Sequence, residues 1–239
     1  MTDWSFRTAR DHGLSPADRL RSLGRERGVG SLILAGAWTQ LMRGYLRTVH
    51  RLTVTGLENL PPAPFVMVAN HASHLDALTL ATALPRSLGR KAFALAAGDT
   101  FFTSTPLALF AAYAINALPV WRKQTTPEDL DGMRQRLTDD GAVLILFPEG
   151  TRSRDGSMAR FRPGVGALVA GRPIPVVPCW LQGAYAAWPA KRRLPRPGKL
   201  ALTIGPPLSF PDTAPDRAGM LLVASECEAA VRALAPLPD

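Results

Sequence analysis

Phe65-Val66-Met67-Val68-Ala69-Asn70-His71-Ala72-Ser73-His74-Leu75-Asp76 passes from a purely apolar run to a polar cluster without a break. The apolar part predicts a β-strand over 65–69, and the residues after Asp76 predict a helix over 77–84. In an α/β sheet ligands collect where strands end, so the polar cluster stands where a site would form. The same alternation of short apolar runs and helical stretches continues through the chain. Strands are expected over 53–55, 65–69, 91–95, 117–120, 143–147, 176–180 and 200–204, and helices over 77–84, 105–114, 127–140, 165–170 and 215–234. Val143-Leu144-Ile145-Leu146-Phe147 is apolar without alternation, as a strand covered on both faces should be. The whole describes one α/β domain with a helical N-terminal appendage.

The appendage has its own signals. Ser15-Pro16-Ala17-Asp18 reads as a helix start, with Ser15 as N-cap and Pro16 in the first helical position. That helix is expected to run to about Arg27 and stop at Gly28 or Gly30. A second helix is expected over 31–50. Leu34, Trp38, Leu41, Met42, Tyr45 and Val49 share about a third of its circumference, and Arg43, Arg47 and Arg51 fall on the opposite side. Such a helix either packs on the main domain or lies in a membrane interface with its arginines toward lipid phosphates. The two are compatible.

Composition narrows the function classes. Hydrophobic residues are 46% and charged residues 20%, which excludes a disordered tail or a coiled-coil rod. Lys+Arg number 28 against 19 Asp+Glu, a formal net charge of +9, in a chain whose mean hydropathy is +0.03. A chain both basic and apolar points to nucleic acid, or to an anionic membrane carrying a phosphorylated substrate. Cys179 and Cys227 are too few for a disulfide framework or a cysteine zinc site, and they fit a reducing compartment as buried hydrophobes. The polar, early-acidic N-terminus does not read as a secretory signal. No segment reaches the roughly 18–20 uncharged apolar residues of a bilayer span, so any membrane attachment is expected to be interfacial.

Two clusters carry candidate chemistry. His71 and Asp76 are five positions apart, about 140° out of phase on a regular helix. They meet only if His71 sits on the loop and Asp76 opens the next helix. A carboxylate would then hold the imidazole in one tautomer and leave its other nitrogen as a general base. The alternative is Asp76 as a simple N-cap and His71 as a solvated loop residue. A metal reading of His71, His74 and Asp76 fails, because only His12 and His50 remain, both in the appendage. The second cluster, Phe147-Pro148-Glu149-Gly150-Thr151-Arg152-Ser153, follows the 143–147 strand, with Arg154, Arg160 and Arg162 beyond it. Glycine permits close backbone approach, Thr151 and Ser153 supply hydroxyls, and arginine is a forked donor suited to phosphate. Arg122 follows a third strand. A solvated basic turn is the competing reading, sound for Arg154 and weaker for Arg152.

Other patterns carry less. The glycines over 164–170 mimic a dinucleotide fingerprint, but no apolar strand immediately precedes them. There is no Gly-x-Ser-x-Gly elbow and no Walker-type loop. The segment 191–199, KRRLPRPGK, reads as a basic loop. Aromatics are 7% and no nucleic-acid module surrounds it, so nucleic acid is not the expected partner.

Taken together, the clusters resemble the lysophospholipid acyltransferase family, the 1-acylglycerol-3-phosphate O-acyltransferase-like enzymes. The family's N-H-x-x-x-x-D block matches Asn70, His71 and Asp76. Its second block, an apolar strand ending in arginine, matches Ile115 to Arg122. Its F-P-E-G-T-R-S block matches Phe147 to Ser153 unchanged, and its apolar stretch between prolines matches Ile174-Pro175-Val176-Val177-Pro178. The likeness covers about residues 50–210. It implies a central mixed, mostly parallel sheet flanked by helices, with an N-terminal helical pair. Residues 1–50 would be a membrane-interface appendage and 51–239 the acyltransferase domain. His71 would be the general base oriented by Asp76, acting directly on the acceptor without an acyl-enzyme. Arg122, Glu149, Gly150, Thr151 and Arg152 would hold the acceptor's phosphate and headgroup. The resemblance implies acyl-CoA or acyl carrier protein as thioester co-substrate, no cofactor or metal, and a lysophospholipid acceptor. It also implies work on an anionic membrane surface, peripheral or monotopic on the cytoplasmic face of the cell inner membrane. Asn116 and Trp121 replace the glycine and acid usual in the second block, and Phe161-Arg162-Pro163-Gly164 replaces the usual Phe-Lys-x-Gly. Both changes lie near the acceptor site. Lysophosphatidic acid is the first expectation, with a lyso-aminolipid or other lysolipid as the alternative. A non-catalytic basic membrane-binding module is the rival class.

Overall fold

The sheet grows outward from β2 (Phe65–Ala69), whose five residues are all buried. A computed structural model of the chain describes residues 9–22, 24–26, 29–98, 103, 108–109, 111–112, 116–120 and 126–236. β2 lies between β5 (Val143–Leu146) and β6 (Arg172–Gln182), parallel to both. Beyond β5 come β3 (Ala92–Ala97) and β4 (Ala117–Val120), again parallel. On the other side β7 (Ala201–Ile204) runs antiparallel to β6, and β1 (Thr53–Thr55) pairs with it in parallel. β8 (Leu208–Phe210) also runs antiparallel to β6. The sheet is thus mixed and mostly parallel, as expected.

Alternation along β2 divides the core. Val66 and Val68 face α5 (Pro127–Asp139), α6 (Gly164–Val169) and α8 (Arg217–Ala233), in a cluster with Leu137, Leu168 and Val223. Phe65, Met67 and Ala69 face α2 (Val29–Thr48), α3 (Asp76–Ala83) and α7 (Ala184–Ala187), in a cluster with Leu46, Leu80 and Ala184. Helices cover both faces, which is why the central strands carry no polar alternation.

β6 is longer than its apolar pattern implies. Pro173 and Pro175 read as strand breakers, yet the strand starts at Arg172. Its first half pairs with β8 and its second with β7, and the Pro178 carbonyl accepts from the Gly205 N–H at 2.8 Å. Pro173 and Pro175 fall in the irregular stretch between the Arg172–Phe210 and Val176–Leu208 pairings with β8, where the ladder is broken and no regular N–H is required of them.

The appendage departs most from expectation. α1 (Pro16–Arg21) is capped by Ser15 as predicted, but it ends six residues before Arg27. Arg25 instead turns inward, donating to the carbonyls of Ala112 and Ala117 and to Asn116 Oδ1. In α2, Leu46 is fully buried, whereas Leu34 and Leu41 of the predicted stripe are 72% and 62% exposed. Arg43, expected on a face turned to lipid, donates through Nε to the Thr82 carbonyl at 2.7 Å and through Nη2 to that of Leu84. The end of α3 leaves carbonyls without helical partners, and satisfying them rotates α2 away from its apolar midline. The short α4 (Arg86–Gly89) follows α3. The predicted 105–114 helix lies mostly outside the described residues, with Ala108, Leu109, Ala111 and Ala112 helical within it. No described helix is long and apolar enough to cross a membrane.

Candidate active site

The chain leaves β2 at Asn70, whose side-chain amide imitates one more pair of the sheet. Asn70 Nδ2 donates to the Leu181 carbonyl at 3.0 Å, and the Leu181 N–H donates to Oδ1 at 2.8 Å. His71 comes next, and every part of it but one is held. Its N–H donates to Glu149 Oε1 at 2.6 Å, and its carbonyl accepts from the Ser153 N–H at 2.7 Å. Its ring stacks on Phe147 with centroids 4.2 Å apart. Nδ1 lies 2.8 Å from Asp76 Oδ2.

Asp76 is the first residue of α3, so the loop position of His71 overcomes the phase mismatch of a continuous helix. The carboxylate is not the helix cap. Oδ2 turns back on the loop and accepts from the N–H groups of Ala72 and Ser73 at 2.7 and 2.8 Å, besides the imidazole. Its partner Oδ1 is buried with no hydrogen bond. An ionised carboxylate only accepts, so Nδ1 carries the ring hydrogen and Nε2 keeps a lone pair. Among the described residues nothing bonds Nε2, and the side chain is 21% exposed. Ser73 is not a nucleophile: its hydroxyl donates to the Trp188 carbonyl at 2.8 Å and accepts from the Leu75 N–H.

The loop after β5 is the other half of the site. Glu149 is almost wholly buried and both its oxygens serve backbone: Oε1 accepts from His71 and Oε2 from the Ala159 N–H at 2.9 Å. Burial pushes its carboxyl pKa up, against the pull of those two N–H groups. Gly150 has φ +73°, the left-handed region that favours glycine, and a Cβ there would press on the Arg162 side chain, 3.0 Å from Nε. Thr151 is exposed on that turn. Arg152 is part-buried, and its Nη1 lies 2.6 and 2.7 Å from the Nδ1 and Nε2 of His74. Arg122 lies outside the described residues. The structure therefore brings His71, Asp76, Glu149 and Arg152 together, with Glu149 turned to backbone.

Three contributors carry little sequence signal. Phe147 supplies the ring beneath His71. His74 is tilted against Trp188 at 5.0 Å, and its Nε2 reaches the Ala190 carbonyl at 3.4 Å. Burial, then the neighbouring Arg152 charge, lowers the His74 pKa, so a neutral ring can accept from the guanidinium. The signal for His74 is its place inside the loop; Trp188 arrives from beyond β6 with none. The two thiols take no part, since burial raises the pKa of Cys179 and pushes that of Cys227 up to about 12.

An imidazole fixed by a carboxylate, stacked on a ring and open at Nε2, can take a proton from a hydroxyl presented to it. An arginine on the facing loop can hold an anionic group nearby.

The family model described as Acyltransferase matches residues 51–182. Among curated proteins, the chain is 33% identical over 144 residues to the chloroplastic 1-acyl-sn-glycerol-3-phosphate acyltransferase BAT2 of Brassica napus, covering 59% of this chain and 40% of that protein. It is 28% identical over 170 residues to the 1-acyl-sn-glycerol-3-phosphate acyltransferase alpha of Mus musculus, covering 70% of this chain and 58% of that protein. The chain thus spans less than two thirds of the length of these relatives. Among solved structures it resembles the crystal structure of the 1-acyl-sn-glycerophosphate acyltransferase PlsC from Thermotoga maritima. The TM-score is 0.64 at 23% identity, over 89% of this chain and 85% of that one, a likeness of fold.

Proposed function

The chain belongs to the acyltransferase family, and from that premise we propose that it moves a fatty acyl chain from an acyl-CoA or acyl-carrier-protein thioester to the free hydroxyl of a lysophospholipid. The plant and mouse relatives are named for 1-acyl-sn-glycerol-3-phosphate, and we carry that acceptor over, with phosphatidic acid as product. His71 is the general base. Nε2 takes the proton of the acceptor hydroxyl as its oxygen attacks the thioester carbonyl carbon. The C–S bond then breaks, and the leaving thiolate takes the proton back from the imidazolium. Asp76 holds the ring in the Nδ1–H tautomer and stabilises the cation that forms. Arg152 holds the acceptor phosphate, with Gly150 keeping the turn close and Thr151 at its edge. Arg122 is assigned to the same anion by its place in the family's second block. Glu149 acts at one remove, by fixing the His71 backbone. The observation that carries the reading is the 2.8 Å pair of Nδ1 and Asp76 Oδ2 with Nε2 left open.

The reaction takes place on an anionic membrane surface, peripheral or monotopic on the cytoplasmic face of the cell inner membrane. The exposed apolar side chains of α2, Ile33, Leu34 and Leu41, support an interfacial position.

Purified protein should transfer labelled acyl chains from acyl-CoA to lysophosphatidic acid in mixed micelles. His71→Ala should lower turnover by about 10²–10⁴-fold, the range a general base supplies, while circular dichroism stays unchanged. Near-normal turnover by a folded His71→Ala protein would overturn the assignment of the base. Turnover only with a different lysolipid would move the acceptor and keep the mechanism.

A further inference from the structure

A second group of cations lies at the far end of the sheet from His71. α3 starts beside the imidazole and runs back along the sheet for eight residues, about 12 Å. It delivers the chain to α4 just before β3 begins. β3 is parallel to β5 and so to β2, which puts α4 at the end of β2 opposite the His71 loop. Here α2 overhangs α4, and a cavity of about 470 Å³ opens between them. Its α2 wall includes Leu32, Ile33 and Gly36, and Arg43, Arg86 and Arg90 line it as well.

The charges in this cavity are unbalanced. Arg86 and Arg90 are four residues apart, hence on one face of the turn, and both are exposed. Neither forms an ion pair with any described carboxylate. Arg43 points its donors at the end of α3 but keeps its charge among them. Its pKa is lowered first by burial and then by repulsion from Arg86 and Arg47. A cavity that collects like charges and offers them no carboxylate is complementary to an anion. A free phosphate would use the arginines alone. The apolar wall is continuous with the exposed Ile33 and with Leu34 one residue on, and only an amphiphile uses both halves.

We propose that this groove binds one anionic phospholipid of the membrane, its phosphate on Arg86 and Arg90 and one acyl chain along Leu32, Ile33 and Gly36. It is a site apart from the acyl acceptor's, which lies across the sheet at His71 and Arg152. The bound lipid ties α2 to α4 and sets the face that the enzyme turns to the bilayer. The inference rests on the interfacial position given to α2 above.

The test is a titration of full-length protein with short-chain phosphatidylglycerol below its micelle concentration, read by native mass spectrometry, with short-chain phosphatidylcholine alongside. Saturable one-to-one binding of phosphatidylglycerol in preference to phosphatidylcholine is expected. The R86Q/R90Q variant should bind phosphatidylglycerol about 25-fold more weakly, about fivefold for each cation. The charge-matched R172Q/R217Q variant, altered elsewhere on the surface, should bind like wild type. Equal affinity for the two lipids, an unchanged R86Q/R90Q variant, or an equal loss in R172Q/R217Q would each overturn the site. Because monomeric lipid needs no bilayer, the interfacial reading is scored separately, by sedimentation with phosphatidylglycerol vesicles.

Discussion

In the loop between β2 and α3, polar groups are nearly all engaged, whereas along the outer face of α2 it is apolar groups that stand without partners. The backbone of His71 is held at both its N–H and its carbonyl, its ring lies on Phe147, and Asp76 gathers three N–H donors on one oxygen. Ile33, Leu34 and Leu41 sit in solvent at 68%, 72% and 62% exposure. The loop is ordered to fix one nitrogen, and it does so with contacts that are all internal. Among the described residues nothing covers the outer apolar surface of the helix, and the interfacial position proposed for it would use that surface. Changes in the loop should therefore act on turnover, and changes on the outer face of α2 should act on attachment. The two kinds of effect should separate cleanly.

The sharpest way to break that contrast is Asp76→Asn. The amide oxygen can occupy the Oδ2 position and still accept from His71, Ala72 and Ser73, so the loop should keep its shape. What is lost is the charge that stabilises the imidazolium. Turnover should fall about a thousandfold, within the general acid–base range, with acceptor KM much less affected. A loss below tenfold in a folded variant would mean that the carboxylate is only a loop fastener.

Glu149→Gln should do less. One amide oxygen cannot serve both His71 N–H and Ala159 N–H, and the NH2 group would face a donor. The buried mismatch costs about 1–3 kcal/mol of stability. Because the misplaced group is the His71 backbone, turnover should fall about ten- to a hundredfold, an effect of displacement and not of lost chemistry. Thermal unfolding and turnover should both respond. If acceptor KM alone rose while stability held, Glu149 would be touching the substrate after all.

The order of these effects follows what the amino-acid sequence could and could not convey. The β2–loop–α3 unit is legible because its signals are local: an apolar run, then polar residues, then a helix whose first residue must face back. The parallel sheet is legible in the apolar strands at 65–69 and 143–146. Partnerships across the chain are not. Glu149 is a charged residue in a basic turn, and nothing nearby reveals that its oxygens reach His71, 78 residues back, and Ala159, ten ahead. His74 has the same difficulty with Arg152. Pro173 and Pro175 mislead about β6 because only the break in register with β8 between Arg172 and Val176 makes them harmless. Helical phase gave α2 its apolar midline correctly, but Arg43 and the unsatisfied carbonyls of α3 set the face that packs.

That rotation makes α2 a test within a single helix. Leu34 and Leu41 lie outward, and the double substitution Leu34→Ser/Leu41→Ser removes nothing that the described fold uses. Its effect on thermal unfolding in solution should be the smallest predicted here, within about 0.5 kcal/mol. Leu46→Ala, five residues beyond Leu41 and fully buried between the helix and β2's odd-numbered face, should cost about 2–5 kcal/mol. Vesicle binding should reverse the order. Each leucine withdrawn from a bilayer forfeits about 1.5–3 kcal/mol, so the double variant should release vesicles that the folded fraction of Leu46→Ala still holds. If Leu34→Ser/Leu41→Ser unfolded as readily as Leu46→Ala, the outer face would be packed against protein. The division between an inward-fixed loop and an outward-facing helix would then fail at the helix.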